Sequence, residues 1–225
     1  MKIQIEQATP DKASHIASLI MEAMNAQCCQ NFAGPQHTLV DFHRMMTKLV
    51  EMEDSQYSYK NTLVAMSTDG ILVGILVAYD GADVKRLRKR FIEAAIVAFG
   101  MDYSAMELET EEGEFYLDSL AVSNQYRGKG IASKLLDAAI SRARELGLPA
   151  VGLLCDKGNP KAERLYTKVG FQYVNDTTWG GHAMKHLQYK LLSDRANCAN
   201  VCPIKSIEIN RKYAVYCANC SIFAP

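Results

Sequence analysis

Arg127, Gly128, Lys129 and Gly130 lie between an apolar strand and an apolar helix, and that position gives them a chemistry. Residues 116–122 mix apolar and small side chains as a strand does, and a short polar turn delivers the four residues to the start of a helix over 129–146. The first N–H groups of a helix lack intrahelical partners and carry the positive end of its dipole, so such a join seats a phosphate on main chain. Gly128 and Gly130 have no Cβ and let the backbone approach an anion. The spacing is neither the dinucleotide G-x-G-x-x-G nor the nucleotide loop G-x-x-x-x-G-K-[ST]. The plainer reading is a glycine-softened turn with a solvated Arg and Lys. A second block, Asn159-Pro-Lys-Ala-Glu-Arg-Leu-Tyr-Thr-Lys-Val-Gly-Phe171, lies about 30 residues downstream. Ala162, Leu165 and Val169 recur there at helical spacing, and Tyr166 is offset from their stripe; ordinary core is its plainer reading and a place facing a cleft the functional one.

Arg127-x-x-Gly130-x-Ala132 resembles the acyl-CoA-binding signature [RQ]-x-x-G-x-[GA] of the GNAT superfamily of N-acyltransferases. The second block resembles the other signature of that family, N-x-x-A-x-x-x-Y-x-x-x-G-F. Two blocks in the right order and separation imply the family over about residues 1–191. The resemblance implies that Gly128, Lys129, Gly130, Ile131, Ala132 and Ser133, with Arg127, bracket the pyrophosphate of acetyl-CoA. It implies that backbone groups of Leu120, Ala121 and Val122 pair with the pantetheine arm, and that one of their N–H groups receives the oxyanion. It places Asn159 as a side chain holding the cosubstrate and Tyr166 as the acid that protonates the departing thiolate.

The implied reaction is direct attack of a neutral amine on a thioester. An alkylamine has a pKa of about 10, so a base must take its proton at neutral pH. Asp118 is the candidate: by strict alternation it shares a face with Tyr116 and Leu120. A solvated or hydrogen-bonding strand residue is its plainer reading. Some members of the family place a glutamate at the end of the next strand instead; Leu154 stands there, with Asp156 two residues on, so this chain departs from that version.

The elements that must position these residues follow from periodicity. Ile3 and Ile5 alternate with polar residues as a half-buried strand, and Thr9-Pro10-Asp11 opens a helix with Ile16, Leu19, Ile20, Ala23 and Met24 inward. Residues 28–35 read as a loop, and a second helix begins at Thr38. Residues 61–66 and 71–79 form a hairpin. Residues 83–99 read as an inserted helix, basic at first, and an acidic run follows with Glu107, Glu109, Glu111, Glu112 and Glu114. Solvated faces explain both charge runs; a lid that attracts a cationic amine is the functional alternative. Strands over 148–155, 171–175 and 182–191 complete the order β-α-α-β-β-insert-β-α-β-α-β-β. This is an α/β fold with one mixed central sheet flanked by helices and a helical insert before the strand of Asp118. Substrate selection falls to 28–35, the insert and 177–182, where Trp179 and His182 could line a pocket.

Lys+Arg 25 balance Asp+Glu 25 in 225 residues, so charge points to neither nucleic acid nor an anionic membrane. The start carries no leader-like apolar core, and the longest apolar run, 71–79, is too short to span a bilayer, which reads as cytoplasmic. Of seven cysteines, Cys198, Cys202, Cys217 and Cys220 crowd a tail over 192–225. A structural zinc, a degenerate ferredoxin-like cluster site and an unliganded tail with free thiols all stay open, and no metal ligand is assigned. The expected function is N-acetyl transfer from acetyl-CoA to a primary amine, of a small molecule or a peptide, by a chain compatible with a homodimer. A non-catalytic acyl-CoA sensor would need the phosphate seat but neither Tyr166 nor a base.

Overall fold

A computed structural model describes residues 2–191; the tail and its four cysteines lie outside the described residues. Among the described residues, seven strands form one sheet: β1 (Ile3–Gln7), β2 (Thr62–Ser67), β3 (Leu72–Asp80), β4 (Phe115–Val122), β5 (Ala150–Asp156), β6 (Gln172–Trp179) and β7 (His182–Lys190). They lie in the order β1-β2-β3-β4-β5-β7-β6. Every pairing is antiparallel except β4 with β5. The helices are α1 (Ala13–Met24), α2 (Ala26–Ala33), α3 (Leu39–Glu51), α4 (Val84–Phe99), α5 (Ile131–Glu145) and α6 (Pro160–Val169). No helix among the described residues is long and apolar enough to cross a membrane.

The sheet divides two apolar cores. On one face Ile16 and Ile20 of α1, Phe42 and Met46 of α3 and Phe91 of α4 pack on Ile75 and Val77 of β3. On the other, Leu135, Leu136 and Ala139 of α5 pack on Leu76, Leu117 and Val151. A reciprocal Thr38–Asp41 capping box starts α3 where the sequence places its first residue.

Three expectations change. Residues 26–33 are helical rather than looped: the Asn25 side chain accepts the Cys28 N–H and so caps α2. The last hairpin is tighter than expected. Gly180 and Gly181 both take positive φ, 59° and 79°, and a two-residue turn lets β6 run on to Trp179.

The third change is in the charge runs, which are not uniformly solvated. Arg88, Glu109 and Glu114 are buried. Arg88 falls on the apolar stripe of α4 with Val84, Leu87, Phe91 and Ala95, and forms an ion pair with Glu109. Glu114 accepts from Thr110 Oγ1 at 2.7 Å and Gln188 Nε2 at 2.8 Å, and its Oε2 lies 2.8 Å from His186 Nε2. The Glu114 contacts fasten the C-terminal end of the insert to β7, and the Arg88–Glu109 pair ties α4 to the segment that follows it. The Glu114 carboxylate lies where a Cβ on Gly152 would be, so only glycine fits there.

Candidate active site

The site begins with a break in the sheet. The β4–β5 pairing covers only Phe115 with Val151 and Tyr116 with Gly152, at the start of β4. Beyond it the strands separate and border a cavity of about 630 Å³. A β-bulge accompanies the separation: in the pairing with β3, Val77 meets Ser119 and Ala78 meets Leu117, which leaves Asp118 as the extra residue. A bulge re-aims side chains and increases local twist. Alternation therefore fails in part. Asp118 keeps to the side of Tyr116 as expected, but Leu120 packs with the core on the α5 face.

Asp118 accepts from Ser119 Oγ at 2.8 Å, Tyr79 Oη at 3.0 Å and Gln56 Nε2 at 3.2 Å. Burial pushes its carboxyl up, against those bonds and the positive charge of Arg88. Tyr166, on α6, lines the same cavity and packs edge-on against Phe171 with ring centroids 5.9 Å apart. Burial, and then Cys155, push its phenol above the ordinary range, so it holds its proton at neutral pH. Cys28 and Cys155 also border the cavity. Burial raises both thiols, Cys155 to about 11.

Asn159 lines the cavity too, with Pro160 at the first position of α6 and its Oδ1 accepting the Ala162 N–H at 3.1 Å. The asparagine is thus a helix cap whose amide nitrogen remains for another partner. The cavity wall therefore brings together Asp118, Leu120, Asn159 and Tyr166, and it does not include Ala121, Val122 or 127–133. Ala121 and Val122 are buried, one in each apolar core. Gly128 and Gly130 are exposed with φ of 74° and 75°, and Gly130 caps α5, so Ile131, Ala132 and Ser133 are its first turn. Arg127 donates to the Val122 carbonyl at 2.9 Å and pairs with Glu22 at 3.0 Å, so it braces the turn against β4 and α1. Lys129 Nζ donates to the Gln125 carbonyl and lies over the Tyr126 ring.

Trp179 and His182 line the cavity, with His182 Nδ1 3.8 Å from Asp156. Among the described residues, four acids, Glu22, Glu109, Asp118 and Asp156, reach the wall, and no lysine or arginine does. Tyr79, Gln56, Arg88 and Glu109 are neighbours of Asp118 that the sequence motifs do not announce. Of these, Arg88 alone carries a signal, a charge on an apolar helical stripe.

The chain belongs to the acetyltransferase (GNAT) family, which residues 36–171 match. Over 102 residues it is 32% identical to D-amino-acid N-acetyltransferase HPA3 of Saccharomyces cerevisiae, covering 37% of this chain and 61% of that protein. It is 29% identical to the spermine/spermidine N(1)-acetyltransferase of Bacillus subtilis over 94 residues, covering 40% of this chain and 62% of that one. The matched region thus spans less than two thirds of either relative. A crystal structure of an acetyltransferase superposes with a TM-score of 0.67 at 29% identity, over 83% of this chain and 98% of that one.

Proposed function

We propose that this chain transfers an acetyl group from acetyl-CoA to a primary amine by direct attack within a ternary complex. The observation that carries the reading is the parted β4–β5 edge, with a carboxylate and a neutral phenol lining one cavity. An extended pantetheine arm fits such an edge, because its amides can pair with strand groups that lack a strand partner. The first turn of α5 and the glycines before it offer N–H groups to the pyrophosphate. The amide of Asn159 supplies a donor inside the cavity.

The amine nitrogen attacks the thioester carbon, a C–N bond forms, and a backbone N–H of Leu120, Ala121 or Val122 takes the oxyanion. Asp118 accepts a proton from nitrogen. The C–S bond then breaks, and Tyr166 gives its proton to the thiolate and recovers one from solvent. For an ammonium substrate one proton ends on sulfur and one leaves to bulk water. The raised thiols of Cys28 and Cys155 argue against an acyl-cysteine intermediate, since the thiol is a poor nucleophile.

Glu22 and Glu109 are already paired with Arg127 and Arg88, so Asp118 and Asp156 are the acids that favour a cationic acceptor, and a diamine or polyamine suits them better than an amino acid, whose carboxylate would meet like charge. Thiol release from acetyl-CoA, measured with spermidine, a D-amino acid and a peptide amine, tests the reading. Turnover greatest with spermidine supports it. Binding of acetyl-CoA without release on any amine overturns it in favour of a sensor.

A further inference from the structure

Tyr79 Oη lies 3.0 Å from Oδ2 of Asp118 and 3.0 Å from Oε1 of Glu109. A phenol has one hydrogen, and an ionised carboxylate only accepts. With both carboxylates ionised, one of these two contacts sets lone pair against lone pair. A proton on Asp118 resolves the conflict. Asp118 then donates to Tyr79, Tyr79 donates to Glu109, and every contact has one donor and one acceptor. Arg88 fixes which acid keeps its charge. Its guanidinium pairs with Glu109 and donates to the carbonyls of Met106 at 3.3 Å and Glu107 at 2.6 Å, and a guanidinium does not give up its proton.

We propose that Tyr79 and the Arg88–Glu109 pair are positioning residues that form a proton-state switch for Asp118, the hydroxyl turning to Asp118 when it is ionised and to Glu109 when it is protonated. The proposal rests on the reading of Asp118 as the base. In the resting site the ionised carboxylate holds three donors, from Tyr79, Gln56 and Ser119. When the amine gives up its proton, the N–H bond breaks, its electron pair remains on nitrogen, and the proton binds Asp118. The Tyr79 hydroxyl then turns to Glu109, so the new acid keeps an acceptor in Tyr79 Oη. After the product leaves, the proton passes to solvent and the hydroxyl turns back. Gln56 suits both states: its Nε2 donates to Asp118, and its buried Oε1 has no partner among the described residues. Inverting that amide offers Asp118 an acceptor.

The direction in which burial moves Asp118 agrees with a site built to accept a proton. The charged and titratable groups that face it are Tyr79 from β3, Tyr116 from β4, Arg88 from α4, Glu109 from the insert and Tyr57 from the segment before β2. The phenols, raised by burial, are neutral at working pH, so the Arg88–Glu109 pair sets the field at Asp118.

The test is the titration of the Asp118 carboxyl, read by carbon NMR of protein labelled at aspartate Cγ and assigned by difference from Asp118→Asn. It needs no turnover, so its failure is distinguishable from absence of acetyl transfer. Glu109→Gln uncovers the Arg88 charge and should lower the Asp118 midpoint by about one pH unit or more, a tenfold change in proton affinity. Tyr79→Phe keeps the ring, deletes one of the three donors to the ionised form and should raise the midpoint. A midpoint unchanged in either variant, or moved the same way in both, overturns the switch. If Glu109→Gln fails to fold, Tyr79→Phe decides alone: a rise supports the switch, and no change or a fall overturns it.

Discussion

Replacing Tyr166 with phenylalanine deletes one oxygen and leaves the packing. The ring keeps its edge contact with Phe171, and the displacement of its phenol arises from burial and Cys155 rather than from a hydrogen bond that the change would break. A near-isosteric loss of this kind costs less than about 1.5 kcal/mol of stability. Its effect on rate is set by what the proton does. General acids contribute about 10²- to 10⁴-fold, or roughly 3–5 kcal/mol of barrier. A thiolate with a pKa of about 8.5 is already a fair leaving group, so the low end applies and kcat should fall about 100-fold. Acetyl-CoA affinity should hold, because the hydroxyl supplies no ground-state contact in this account. Initial rates at saturating amine, with calorimetric binding of acetyl-CoA, read both quantities. An acetyl thioester of a more acidic aryl thiol should suffer less from the change, since its thiolate needs less help. A kcat within about threefold of the parent, or an equal loss with both thioesters, would refute the role of Tyr166 as acid.

Asp118→Asn should abolish most turnover while holding or raising the melting temperature at pH 7. The native carboxyl binds its proton more readily than the ordinary value of 3.8, so its ionisation subtracts stability as pH rises through the raised value. Glu114 has the opposite sign. Burial opposes its ionisation, but the bonds from His186, Gln188 and Thr110 outweigh it and hold the group below 4.5. Its contribution is full above the ordinary carboxylate value and is lost as pH falls through the lowered one, so Glu114→Gln should flatten acid destabilisation in melting curves from pH 7 to 3. Gly152→Ala drives a methyl into the Glu114 carboxylate and should cost about 3 kcal/mol or more in urea denaturation, from overpacking plus a disturbed charged hydrogen-bond set. Gly130→Ala meets a φ of 75° and an anion's approach path, and should raise the KM for acetyl-CoA with little change in kcat.

The strand and helix order, α2 excepted, was legible where the period is clean: Phe42, Met45, Met46, Leu49 and Val50 mark α3 as plainly as Ile3 and Ile5 mark β1. Ala162, Leu165 and Val169 mark α6 in the same way. The misses are tertiary. A bulge at Asp118 cannot be read from alternation, because the extra residue is defined only by its partner strand. Glu109 and Glu114 look like any solvated acids, since nothing local distinguishes a glutamate that meets Arg88 or His186 across the fold. Residues 26–33 bury Cys29, Phe32 and Ala33 at helical spacing, and Asn25, at a φ of 70°, caps them by accepting the Cys28 N–H.

Initial-rate kinetics of CoA thiol release, with acetyl-CoA and spermidine varied together and the product weighed by mass spectrometry, test the central claim most directly. Saturable, amine-dependent release with intersecting double-reciprocal lines and one acetyl group on nitrogen is the result expected of direct transfer. Parallel lines with an acetylated protein would contradict the ternary complex, and acetyl-CoA binding with no amine-dependent release would contradict the catalytic reading itself.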